Sequence, residues 1–162
     1  MRNKVRYALG LALTEVVVVA SIILVFVVAL FGAYAFYLRI SFENLHRAQA
    51  TFIAEEGIES IKILRDQSWS EKIALIPFGE TYRITWNEGL VELALGASYI
   101  DGMFDRTIVF EEVGRDSNGD IVEQGGTPDE GTRKLTVNIS WFSRNATTTK
   151  SMSTYVTDLF GN

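Results

Sequence analysis

The chain has 162 residues, with 15 basic against 20 acidic side chains, one histidine and no cysteine. Without cysteine it has neither a disulfide framework nor a thiolate metal site, and its acid excess argues against bulk attraction to nucleic acid, so no direct nucleic-acid partner is expected. Beyond an apolar N-terminal stretch, enough chain remains for one ordinary domain with a modest core.

Arg2, Lys4 and Arg6 open the sequence, and Val16 to Leu38 is an uncharged, largely apolar run of 23 residues. At ~1.5 Å per residue the run covers roughly 34 Å, enough to cross a hydrocarbon core of about 30 Å. A basic flank tends to stay on the cytoplasmic side, which predicts a single pass through the cytoplasmic membrane, N-terminus inside and C-terminus outside. A secretory signal is one reading of such a leader, and Ala33-Tyr34-Ala35 supplies the small residues of a cleavage site. The apolar run is longer than such signals use and continues through Phe36, Tyr37 and Leu38. An uncleaved signal anchor is the second reading; it leaves Gly10 and the carboxylate of Glu15 without a role.

The stretch Gly10-Leu11-Ala12-Leu13-Thr14-Glu15, between the basic leader and the apolar run, resembles the class III signal of type IV pilins and of type II secretion pseudopilins. The resemblance implies a basic leader over 1–10, removed by a prepilin peptidase that cuts after Gly10. It implies N-methylation of the new terminus, Leu11, which stands where phenylalanine is more usual, and it makes Glu15 the fifth mature residue. It further implies a transmembrane and assembly helix over 11–40, an extracytoplasmic head over 41–162, and a filament at the cell surface or in the periplasm. Its expected partners are the peptidase, other pilin or pseudopilin subunits, inner-membrane assembly machinery and membrane lipid. Physically, the α-amine of Leu11 and the carboxylate of Glu15 share a helix face, and charges near hydrocarbon are costly unless paired. When subunits pack, the carboxylate of one can neutralise the amine of its neighbour. Gly32 lies near the place where many pilins carry proline; it either loosens the helix there or allows close helix packing, at ~1 kcal/mol relative to alanine.

No proline interrupts Thr14 to Ile76. Phe42, Leu45, Phe52, Ile53, Gly57, Ile61 and Leu64 recur at steps of three or four, which predicts one helix from about Thr14 to about Arg65, bare in its first half and striped in its second. The segment Ala50 to Glu59 resembles the point where minor pilins and pseudopilins enter their heads, and Gly57 is expected to permit close helix-to-sheet approach. Glu55 and Glu56 point in different directions and are expected to be solvated.

Strands are predicted over Thr81–Trp86 and Leu90–Leu95, joined by Asn87-Glu88-Gly89, then Asp105–Val113, Arg133–Phe142 and Thr148–Leu159. Leu135, Val137, Ile139 and Trp141 share one face, and Met152, Thr154 and Val156 another row. The expected fold is α+β: a long N-terminal helix, membrane half plus amphipathic half, packed on an antiparallel β-sheet of about four strands.

The loop Gly114 to Thr132 carries Asp116, Asn118 and Asp120 at alternate positions with Glu123 beyond, oxygen donors of the kind calcium takes. Ile121 stands where an EF-hand needs glycine, and Asn118-Gly119 also reads as a plain hairpin turn. No other cofactor is expected. His46 has no second histidine or cysteine to build a site with, Glu111 and Glu112 are strand neighbours on opposite faces, and Trp69, Trp86 and Trp141 read as core or lining. Asn138-Ile139-Ser140 and Asn145-Ala146-Thr147 match the glycosylation pattern, too short to argue from. No constellation for catalysis appears, and the expectation is a structural subunit, minor rather than major. The alternative is an uncleaved, anchored extracytoplasmic binding domain.

Overall fold

The computed structural model describes residues 2–96, 99–143 and 145–161, with side chains from Leu13 onward. The processing pair Gly10 and Leu11 lies outside the residues described with side chains. The chain forms two compact units, residues 1–45 and 46–162.

Helix α1 spans Arg2–Gln67. Its part in the first unit is the membrane-length segment: by length and composition it is the one helix among the described residues apolar enough to cross a bilayer. Its part in the second unit carries the stripe. Ala50, Ile53, Ala54, Ile58, Ile61 and Leu64 are buried, following the 3.6-residue period. Phe52, expected on that stripe, is 69% exposed, because the buried face runs through the small residues Ala50 and Ala54 instead.

The helix stops at Ser68, whose hydroxyl accepts from the Glu71 amide at 3.2 Å and starts α2, Trp69–Lys72. Ser68-Trp69-Ser70-Glu71 has the Ser-x-x-Glu form of a capping box, a local signal for a fresh helix start.

Among the described residues the sheet has seven strands rather than about four: β1 Thr81–Asn87, β2 Leu90–Ala94, β3 Tyr99–Ile100, β4 Phe104–Arg115, β5 Ile121–Val122, β6 Thr127–Ser143 and β7 Ala146–Thr157. The main order is β2-β1-β4-β6-β7, all antiparallel, with β3 and β5 pairing with β4. The short strands β3 and β5 were not expected, and β6 begins at Thr127, inside the expected loop 114–132. A bulge between Glu112 and Gly114 resets the register, and pairing resumes at Gly114↔Pro128 and Arg115↔Thr127. Gly114 is required there: a Cβ would stand 2.2 Å from the carbonyl oxygen of Gly125. The β1–β2 turn holds Glu88 and Gly89 at φ 50° and 83°, the left-handed pair of a tight hairpin.

Phe104, Ile108 and Phe110 of β4, Leu135, Val137, Ile139 and Trp141 of β6 and Val156 of β7 face the stripe of α1 and form one core with Trp69 and Ile73. Gly57 sets how closely helix and sheet approach, since a Cβ there would lie 3.1 Å from both Arg106 Cδ and Val137 Cγ1. Trp69 and Trp141 are buried as expected, but Trp86 is exposed, its strand having left β4 after Tyr82↔Ile108.

Candidate assembly helix and head surface

Every residue from Leu13 to Arg39 is exposed. At ~2 kcal/mol per large apolar side chain, such a segment in water is unfavourable by roughly tens of kcal/mol, so it needs hydrocarbon or other helices around it. Ser21, the polar residue within the run, satisfies its hydroxyl internally by donating to the Val17 carbonyl at 2.7 Å. Glu15 is exposed at the start of the run and lies on one face with Val16, Val19, Ala20 and Ile23. A carboxylate at the head of an apolar stripe is the arrangement that a cationic group on a second helix would complement. Gly32 touches nothing within 4 Å of where a Cβ would be, so nothing in the described chain requires glycine there.

In the head, two arginines are buried that the hydrophobic pattern did not single out. Arg106 is 5% exposed; its Nη1 donates to the Ile53 carbonyl at 3.2 Å and pairs with Glu56 at 3.2 Å. Glu56 is thus engaged rather than simply solvated. Arg133 donates to the carbonyls of Ile76 and Ala74 and lies 4.4 Å from the centroid of the Phe78 ring, tying down the connection between α2 and β1. Burial pushes the Arg133 guanidinium below its ordinary value. The signal for both was parity: Arg106 alternates with Ile108 and Phe110, and Arg133 with Leu135 and Val137, all inward.

Two part-buried ion pairs link neighbouring strands of the sheet. Arg83 grips Asp105 with two bonds, 2.8 and 2.9 Å, and donating to that carboxylate raises the Arg83 pKa. Arg115 donates to Asp129 at 2.6 Å, and that bond, then those from Thr132 and the Gly131 amide, hold the Asp129 carboxyl below its usual value.

Asp116 Oδ1 accepts from the amides of Asn118 and Asp120 at 2.8 and 3.0 Å, and Arg115 caps the same turn through the Gly119 carbonyl at 2.8 Å. The carboxylate is therefore occupied by its own turn. Glu123 lines a separate cleft with Glu111, Glu112, Lys134 and Tyr155, so it is not brought together with Asp116, Asn118 and Asp120. Among the described residues no group of three or more His, Asp or Glu side chains is placed to hold a metal ion. His46 is half-buried and meets Phe104 edge-on, ring centroids 6.3 Å apart. Lys134 pairs with Glu111 at 2.7 Å, which raises the Lys134 pKa chiefly through that hydrogen bond.

Compared with protein-family models, curated proteins and solved structures, the chain matches none.

Proposed function

We propose that this chain is a structural subunit of a type IV pilus-like or pseudopilus filament. It is inserted in the membrane as a precursor, cleaved after Gly10, N-methylated on Leu11 and assembled through its apolar helix. The observation that supports the reading is the uniformly exposed apolar helix from Val16 to Leu38, headed by one carboxylate at Glu15 and joined to a small α+β head. As a monomer the helix is a membrane anchor; in a filament the same surface becomes the packed centre, with Glu15 facing the Leu11 amine of a neighbour. The proposed partners are a prepilin peptidase, further pilin-like subunits, the inner-membrane assembly machinery and lipid. The head is proposed to carry no catalysis and to need no cofactor.

Intact mass and N-terminal sequencing of the protein from its native membrane test the proposal. A chain starting at N-methylated Leu11 is the expected result. A start at Phe36 would make it a secreted soluble domain, and an intact Met1 an ordinary anchored protein; either result removes the basis for assembly through Glu15.

A further inference from the structure

The two ends of the β4–β6 pair differ in chemistry. At one end β4 turns back through Asp116, Asn118, Gly119 and Asp120, all polar or glycine. At the other, Phe104 and Trp141 point inward and are buried, their rings 5.8 Å apart. Alternation then places Phe142 on the outer face, and Tyr99, directly opposite Asp105, joins it there. Met103 closes the turn between β3 and β4, its amide donating to the Ile100 carbonyl at 3.1 Å. Tyr99, Met103 and Phe142 are 63, 42 and 69% exposed. Asp105, between them, is neutralised by the two-bond grip of Arg83.

This apolar end is also where α1 enters the head, since His46 meets Phe104 there. His46 lies only eight positions after Leu38, the end of the apolar run. Whatever path the chain takes between them, it spans at most roughly 29 Å. Tyr99 has the apolar body and polar tip that settle at membrane–water interfaces, and Met103 and Phe142 add exposed apolar surface beside it. We infer that the end of the head bearing Tyr99, Met103 and Phe142 rests in the headgroup layer of the membrane that holds the anchor. Asp101, exposed on the same turn, keeps the contact in that layer and out of the hydrocarbon. The head's acid excess makes this an apolar contact that needs no anionic lipid. The inference rests on membrane anchoring alone and not on filament assembly.

The absence of cysteine allows single spin labels at Val25→Cys, Tyr99→Cys, Asn118→Cys and Phe142→Cys in the intact chain, reconstituted in phosphatidylcholine nanodiscs. Collision rates with oxygen, which concentrates in lipid, are compared with those of a water-soluble nickel complex. The expected result is oxygen preference at 25, 99 and 142 and nickel preference at 118; two exposed positions at the same end guard against a local distortion at either. Oxygen preference at 25 with nickel preference at 99 and 142 overturns the lipid contact while leaving the anchor intact. Nickel preference at 25 as well overturns the anchoring reading and the inference with it. Labels at 99 and 142 that are open to nickel in discs, and shielded from both reagents only in assembled filaments, overturn the lipid contact and assign the surface to subunit packing.

Discussion

Replacing Gly57 with alanine sets two effects of similar size against each other. Alanine in a helix interior is favoured over glycine by ~1 kcal/mol, because the unfolded chain loses less freedom. Against this, the new Cβ would stand 3.1 Å from Arg106 Cδ and Val137 Cγ1, inside the 3.5–4.0 Å at which carbon atoms pack best. Neither neighbour gives easily. Val137 is fully buried in the middle of β6, and Arg106 is held at its far end by Ile53 and Glu56. Overpacking of this kind costs about 1–3 kcal/mol, so Gly57→Ala should come out destabilising by ~0–2 kcal/mol, and Gly57→Leu by more. Urea unfolding followed by tryptophan fluorescence reads this directly, since Trp69 and Trp141 are buried in the same core. The midpoint should fall with an unchanged slope. The double variant Gly57→Ala, Val137→Ala should recover part of the loss through a coupling of ~1 kcal/mol. A stabilised Gly57→Ala, gaining the full helix-propensity term, would refute the close approach on which the helix-to-sheet packing is argued.

Three further outcomes are expected. The lowered pKa of Asp129 contributes stability that is complete above its unfolded value, ~3.9, and is lost as pH falls toward the folded value; Asp129→Asn should therefore flatten the acid side of a urea-midpoint profile and lower the midpoint at neutral pH. Among the described residues the buried indole Nε1 of Trp141 has no hydrogen-bond partner. Trp141→Phe, which removes that donor and keeps most of the ring, should cost less than about 1.5 kcal/mol, whereas Trp141→Ala should cost about 3–5 kcal/mol by the same assay. Glu15→Ala should abolish recovery of the protein in sheared filaments while leaving the urea midpoint of the head unchanged; a variant that assembles normally would sink the proposed amine–carboxylate pairing.

Much of the architecture was legible from local patterning. Period 3.6 marked the helix stripe, and strict alternation from Leu135 to Trp141 marked β6 and its inward face. Long-range register was not legible. The bulge between Glu112 and Gly114 depends on the backbone of Gly125 lying against Gly114, a contact between residues 11 apart that no local propensity encodes. That is why the region 114–132 read as a loop although β5 and the start of β6 lie within it. Trp86 read as core for the same reason: its strand alternates correctly, but whether it stays beside β4 is decided after Tyr82, where the pairing ends.

The sequence by itself determined the anchor, because membrane length, the basic flank and the lone carboxylate at Glu15 are properties of contiguous residues. It also determined the α+β class, because helix and strand periods are local. Only the tertiary structure decided which charges are buried, since Arg106 and Arg133 are tolerated inside through carbonyls and a ring supplied by distant segments. Likewise, it took the pairing of β3, β4 and β6 to gather Tyr99, Met103 and Phe142 at the end where the helix enters. Separated by up to 43 positions in the chain, they become neighbours through hydrogen-bond register, which sequence order does not carry.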